Sequence, residues 1–295
     1  MNPPEIILGV GEILWDLLPA GKVLGGAPAN FAYHASAAGA RGIPVSAIGR
    51  DALGQELLDS LARLGLDTSA LAVDKLHPTG TVTVTIDDRG QPRYQIDEHV
   101  AWDFVPVSEV LIDLARQARA ICFGTLAQRS PVTRTAIRTM LEAADQKACL
   151  RVFDINLRQH FYDGDTIRES LTRADILKLN DEELPVVARI LRAPHGSELE
   201  TSRWLVQAFD LQMVALTRGG RGSLLVTPSA VSEHPGYPTI VTDTVGAGDA
   251  FTARLIVGVL RAETLDTLHD RANRLASYVC TQAGATPPIP RDLQG

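Results

Sequence analysis

The sequence predicts an α/β protein of three layers, a mostly parallel sheet between two layers of helices, with a small β-sheet beside it. Three observations carry this reading. Short apolar runs alternate with helix-like stretches along most of the chain, the order that parallel strands with crossover helices require. Hydrophobic residues make up 45% of the 295 residues, enough for a large core and unlike a disordered chain. One segment breaks the alternation with a period of two. The length lets residues 1–295 form one α/β domain.

Taken in order, Ile6 to Val10 is an apolar run ending at Gly11, the mark of a buried strand. Ala29 to Ala38 is rich in Ala after Gly-Gly-Ala-Pro and predicts a helix packed closely on the sheet. Leu53, Leu57, Leu58, Leu61 and Leu64 recur at helical spacing. Gly80 to Ile86 alternates apolar and polar residues, Asp87 to Gly90 reads as a turn, and Pro92 to Ile96 continues as a second strand. That is a β-hairpin with one wet face, either a substrate lid or a surface decoration. Ala120 to Phe123 is a strand, and Pro131 to Ala144 a helix with Pro in its first turn. Leu150 to Phe153, Ile176 to Leu179 and Val214 to Thr217 are further strands, each followed by a helix. The tail Thr286-Pro287-Pro288-Ile289-Pro290 is extended and closes the domain.

Composition excludes several classes. The net charge is -7, which disfavours nucleic acid as a partner. Cys122, Cys149 and Cys280 form no CxxC pair and read as buried thiols of a reducing compartment. The histidines make no zinc spacing. Glu5, Glu12 and Asp16 interrupt the N-terminal apolar residues, and Arg254 interrupts Phe251 to Leu260. Neither segment reads as a leader or a span, so a cytoplasmic protein with no membrane partner is expected. No Walker A sequence, no G-x-G-x-x-G after the first strand and no G-x-S-x-G elbow is present.

The most informative segment is Asp243-Thr244-Val245-Gly246-Ala247-Gly248-Asp249-Ala250-Phe251. A turn of small residues leading into an apolar helix offers free backbone N–H groups and the positive end of the helix dipole, an anion site. Asp249 in the first helical turn can take a proton from a hydroxyl beside that site. Alternatively it is only a helix cap, and the glycines only a tight turn.

That segment resembles the C-terminal signature of the ribokinase-like sugar kinases, the PfkB family. Gly25-Gly26-Ala27-Pro28-Ala29-Asn30 resembles the family's N-terminal glycine signature, with Asp16 upstream of it. Asn180-Asp181-Glu182-Glu183 matches its NxxE element, and Thr217-Arg218-Gly219-Gly220-Arg221-Gly222 its nucleotide-side glycine turn. These elements stand in family order along nearly the whole chain. Gly11-Glu12-Ile13-Leu14-Trp15-Asp16, Ala101-Trp102-Asp103 and Asp154-Ile155-Asn156-Leu157-Arg158 are further similar to bacterial fructokinases.

The resemblance implies an ATP-dependent kinase that phosphorylates a hydroxyl of a small sugar, fructose first. Ribose, 2-keto-3-deoxygluconate, a nucleoside, or a non-catalytic sugar or nucleotide sensor are the alternatives. It implies Asp249 as base beside Gly246, Ala247 and Gly248. It implies sugar binding by Asp16, Gly25, Gly26, Asn30 and Arg158, although Asp16 also reads as a surface turn, Asn30 as a cap and Arg158 as a surface ion pair. Thr217, Gly219, Gly222 and Asn273 would line the nucleotide. Asn180 and Glu183 would hold Mg²⁺ largely through water, or merely start a helix. Asp243 and Val245 would offer carbonyls to a monovalent cation such as K⁺. Residues 13–25 and 79–103 would form the lid, and the lid a homodimer contact.

Overall fold

The computed structural model describes residues 4–19, 21–86 and 92–294. Strand β1 (Ile6–Val10) leads to β2 (Leu14–Leu18), β3 (Gly21–Gly25) and helix α1 (Ala27–Ala37). Then come β4 (Arg41–Gly49), α2 (Ala52–Arg63), β5 (Leu71–Asp74), β6 (Gly80–Ile86), β7 (Pro92–Ile96) and α3 (Glu109–Gln117). The middle of the chain is β8 (Ala120–Phe123), α4 (Pro131–Ala143), β9 (Leu150–Asp154), α5 (Gly164–Arg173), β10 (Ile176–Asn180) and α6 (Glu183–Leu191). It ends with α7 (Glu198–Phe209), β11 (Met213–Thr217), β12 (Ser223–Val226), β13 (Val231–His234), α8 (Ala247–Leu260) and α9 (Leu265–Cys280).

Among the described residues a nine-stranded sheet runs β13-β12-β11-β10-β9-β8-β1-β4-β5. Neighbours from β11 to β5 are parallel, and the β11–β12 and β12–β13 pairs are antiparallel. Each strand sends alternate side chains to opposite faces. Ile121 and Phe123 of β8 join a core with α3 to α7, whereas Ala120 and Cys122 join one with α1, α8 and α9. The expected three layers are therefore present, and the predicted strands and helices begin and end within two residues of the observed ones, except that among the described residues no α-helix follows Val214–Thr217, where the chain turns back into the antiparallel strands β12 and β13.

Strand β4 is a departure from the sequence reading, which left residues 41–49 without an element. Gly42, Pro44 and Ser46 break its apolar run, so its place between β1 and β5 is decided by tertiary pairing. Gly42 has a packing reason: a Cβ there would collide with the carbonyl oxygen of Ala32. Helix α1 thus lies close on the sheet, and this fixes Asn30 near its carboxyl edge.

The predicted hairpin is one half of a second sheet of order β3-β2-β6-β7. Val82 and Val84 bury one face together with Leu14, while Thr85 is exposed. Residues 87–90, the expected turn, lie outside the described residues. The tail is strapped to α1 and α9: the Tyr33 and Tyr278 hydroxyls donate to the carbonyls of Pro287 and Pro288. Cys122 and Cys149 are buried thiols, but Cys280 is only half-buried, because it ends α9 at the surface. Among the described residues no helix is long and apolar enough to cross a membrane.

Candidate active site

The turn before α8 forms as its sequence requires. Gly246 caps α8 with φ 78°, a left-handed conformation, and a Cβ there would lie 2.7 Å from Ala285. Ala247 and Ala250 donate to Thr244 and Gly246. The amides of Gly248 and Asp249 find no such partner among the described residues, so two unspent N–H groups stand at the positive end of a helix. Asp249 is the third residue of α8. It is not the cap.

Four chain segments meet at Asp249. The Asn30 amide donates to its Oδ2 at 2.8 Å. The Oδ1 of Asn30 is buried without a partner, so one acceptor faces the site unsatisfied, a state that costs energy until a hydroxyl donates to it. A narrow cavity of about 20 Å³ reaches Asp249 between Glu12, Phe31, Cys122, Asp154 and Asn156. It has room for about one water.

Burial raises the Asp249 carboxyl to about 6, and the Asp154 carboxylate adds to the rise. The Asn30 amide, Lys178 and Arg158 oppose it. A carboxyl so poised is a stronger proton acceptor than an exposed aspartate, yet ionised at neutral pH.

Asp16 lies on β2, half-buried, over Gly25, whose missing Cβ leaves room for the Asp16 carboxylate. Burial raises its proton affinity and Arg158 lowers it. Arg158 is itself exposed, yet its charge acts on Glu12, Asp16 and Asp249 alike. Gly26 caps α1 with φ 114°. Asp16, Gly25, Gly26, Asn30, Arg158 and Asp249 are thus brought together.

Asn180 and Glu183 sit at the start of α6. Glu183 is buried, its two oxygens accepting from the amides of Leu157 and Asn180 at 2.8 Å each, and Asn180 Oδ1 accepts from Glu182 and Glu183. Burial raises the Glu183 proton affinity, with Lys178 opposing. Donors already spent on backbone fit a hydrated ion better than a bare one. Among the described residues no cluster of three His, Cys, Asp or Glu side chains could hold a metal. Asp243 spends both carboxylate oxygens on the amides of Val245 and Gly284, leaving only main-chain carbonyls there for a cation.

Thr217 ends β11, and Gly219 and Gly222 turn the chain into β12 with φ 53° and 79°. Space beside Gly219 and Gly220 is open. Asn273 departs from the expectation of a nucleotide contact. Its side chain is buried and satisfied by Ser223 and the carbonyl of His269, so it fastens α9 to β12.

Three residues escaped the sequence reading. Glu12 is buried beside the site, and burial pushes its carboxyl up to about 7. Asp154 accepts from Lys178 at 3.1 Å and from the Thr252 hydroxyl at 3.0 Å. Lys178 is buried; desolvation lowers its proton affinity, but Asp154, Glu183 and Asp249 together raise it. A signal existed: charged residues interrupt the otherwise apolar strands β9 and β10, which is costly without a partner.

Unspent amides at a helix N-terminus thus stand beside a poised carboxylate on a three-layer α/β fold. The sequence pattern of the pfkB family carbohydrate kinases matches residues 20–292, and the chain belongs to that family. A crystal structure of an uncharacterized sugar kinase from Pyrococcus horikoshii, in complex with ATP, superposes with TM-score 0.80 at 26% identity, covering 97% of this chain and 96% of that one. The fructokinase of Escherichia coli is 26% identical, covering 95% of each chain. Fructokinase-2 of Oryza sativa is 26% identical over 97% of this chain and 91% of its own.

Proposed function

We propose that the protein transfers the γ-phosphoryl group of ATP to a hydroxyl of a small sugar, with fructose the first acceptor to test. The observation that carries this is Asp249: a carboxylate one residue from unspent cradle amides and bonded to an asparagine that still lacks a hydroxyl donor. The P. horikoshii relative was crystallised with ATP, and the E. coli and rice relatives are fructokinases.

In this reading Asp16, Asn30 and Arg158 orient the sugar against Gly25 and Gly26. Asp249 accepts the hydroxyl proton as the oxygen attacks phosphorus, and Gly246, Ala247 and Gly248 cradle the group in transit. Thr217, Gly219 and Gly222 line the nucleotide. Asn180 and Glu183 would hold Mg²⁺, largely through water, and the ion would supply charge neutralisation at the phosphates. Carbonyls of Asp243 and Val245 suit K⁺. The small sheet acts as the lid that excludes water, and pairs two copies through its edge.

The acceptor is tested with ATP, Mg²⁺ and a panel of fructose, ribose, 2-keto-3-deoxygluconate and nucleosides. Fructose is expected to give the highest kcat/KM; ribose equalling it removes the fructose assignment. Binding of sugar and nucleotide with no turnover for any acceptor would mark a sensor instead. The pH profile is a second check. Protonation of Asp249 removes the base, so kcat/KM should fall as pH drops through about 6. Asp154→Asn removes the neighbouring negative charge and should move that acid limb to lower pH; an unmoved limb argues that another group titrates.

A further inference from the structure

We propose that Lys178 is a catalytic residue of the phosphoryl-transfer step, its ammonium donating to a non-bridging oxygen of the group in transit. This rests on the kinase reading above and adds a residue that the glycine turn does not contain.

Lys178 is the third residue of β10, in the central sheet, on the face that packs against α8. Its neighbours Leu177 and Leu179 point to the opposite core, so Lys178 occupies a position where an apolar side chain is the rule. Instead its Nζ reaches the N-terminus of α8. A Cβ built on Gly248 would lie 3.0 Å from that Nζ, with no backbone atom in the way. The last glycine of the cradle therefore faces an ammonium. Its missing side chain opens the cradle to this charge as well as to a phosphate.

The ammonium is held, but not consumed. Its hydrogen-bond partner among the described residues is Asp154 Oδ1 at 3.1 Å, and an ammonium has three donors. Asp154 is itself within reach of the Thr252 hydroxyl, whose single proton is shared between that carboxylate and the carbonyl of Gly248. Strand β10, strand β9 and the first turn of α8 are thereby locked as one unit around the cradle. The Lys178 ammonium, with donors unspent, thus lies beside Gly248, whose amide and that of Asp249 are also unspent among the described residues.

Charge explains why a cation is needed there. Asp154, Glu183 and Asp249 surround the cradle, and all act electrostatically on Lys178. A polyphosphate approaching three carboxylates is repelled, and neutral amides alone do not cancel that field. In the transfer, the bond from the sugar oxygen to the γ-phosphorus forms as the bond from that phosphorus to the β–γ bridging oxygen breaks. The hydroxyl proton goes to Asp249, and ADP leaves with the bridging oxygen. Lys178 keeps its protons throughout and acts on the equatorial charge.

The test compares wild type, Lys178→Met and Lys178→Arg with ATP, Mg²⁺ and the best sugar of the panel. Lys178→Met should lower kcat by about 10²–10³-fold, the loss typical of one removed donor to a developing charge. KM for the sugar should change by less than about threefold, since the sugar does not touch the lysine. Lys178→Arg should recover about tenfold over Met by restoring a charge in imperfect geometry. Binding of ADP with aluminium fluoride, a mimic of the group in transit, should weaken in the Met variant while ADP alone binds as in wild type.

A folded Lys178→Met protein with wild-type kcat, or one that binds both ligands normally, overturns the proposal. If that variant does not fold, Gly248→Ala crowds the ammonium with the lysine intact. It should cut kcat by about tenfold or more at unchanged ADP affinity, and unchanged kcat there overturns the proposal equally. Wild type that turns over no sugar, yet loses aluminium fluoride discrimination on Lys178→Met, removes the sugar-kinase reading and leaves the lysine assignment standing.

Discussion

Asp249→Asn is expected to lower sugar-dependent ATP turnover by about 10²–10⁴-fold, the range that a positioned general base contributes. The substitution is nearly isosteric, and its neighbourhood tolerates it. Asn30 donates to Asp249 Oδ2, and an amide oxygen can accept the same bond. Ala250 holds the helix start through Gly246, independently of the side chain at 249. The thermal midpoint should therefore stay close to wild type or rise slightly, because a buried carboxylate flanked by Asp154 is replaced by a neutral group. ATP affinity by titration should remain within about threefold, since the cradle amides are backbone. Turnover within about tenfold of wild type would remove Asp249 as the base. A large loss accompanied by unfolding would instead contradict the retained thermal midpoint.

The parts of this site that the sequence announces are local ones. The run from Gly246 to Asp249 is a helix start written in consecutive residues, and its geometry follows from Gly246 alone. Asp16 and the pair Gly25-Gly26 are also contiguous with the strand and helix that carry them. What the sequence withholds is made by contacts between distant segments. Asn30 and Asp249 are 219 positions apart, and Asp154 and Thr252 are 98 apart. No periodicity joins them. Lys178 inside β10 looks like an exception to an apolar strand until Asp154 appears opposite it. Asn273 errs the other way: its residue type suits a ligand, but a buried hydroxyl and a carbonyl on its own helix take its hydrogen bonds. Among the strands, β4 is hidden because Gly42, kept for close packing on α1, and Pro44 both lower its strand propensity.

The Ala101-Trp102-Asp103 segment, noticed in the sequence as a family resemblance, acquires a physical role that predicts the second large effect. Arg129 and Asp103 form a buried ion pair, with Nε to Oδ1 at 2.8 Å and Nη2 to Oδ2 at 2.9 Å. Their side chains are 8% and 5% exposed, so water does not screen the pair. The guanidinium stacks over Trp102 at 4.0 Å and Phe161 at 4.6 Å, and also donates to the carbonyl of Asp97 at the end of the small sheet. Arg129→Met keeps much of the volume but leaves the Asp103 carboxylate buried without its cation. Removing one partner of such a pair costs about 3–5 kcal/mol, more than the pair itself contributes. Urea denaturation should show that loss as a lowered midpoint at unchanged slope. The double substitution Arg129→Met with Asp103→Leu removes both charges, and most of the stability should return. A single variant that loses less than about 1 kcal/mol would mean that Asp103 is solvated or otherwise paired, against its burial. Failure of the double variant to recover would place the cost in packing against Trp102 and Phe161. The junction matters for function because Asp97 to Asp103 is the return path from the small sheet to the large one.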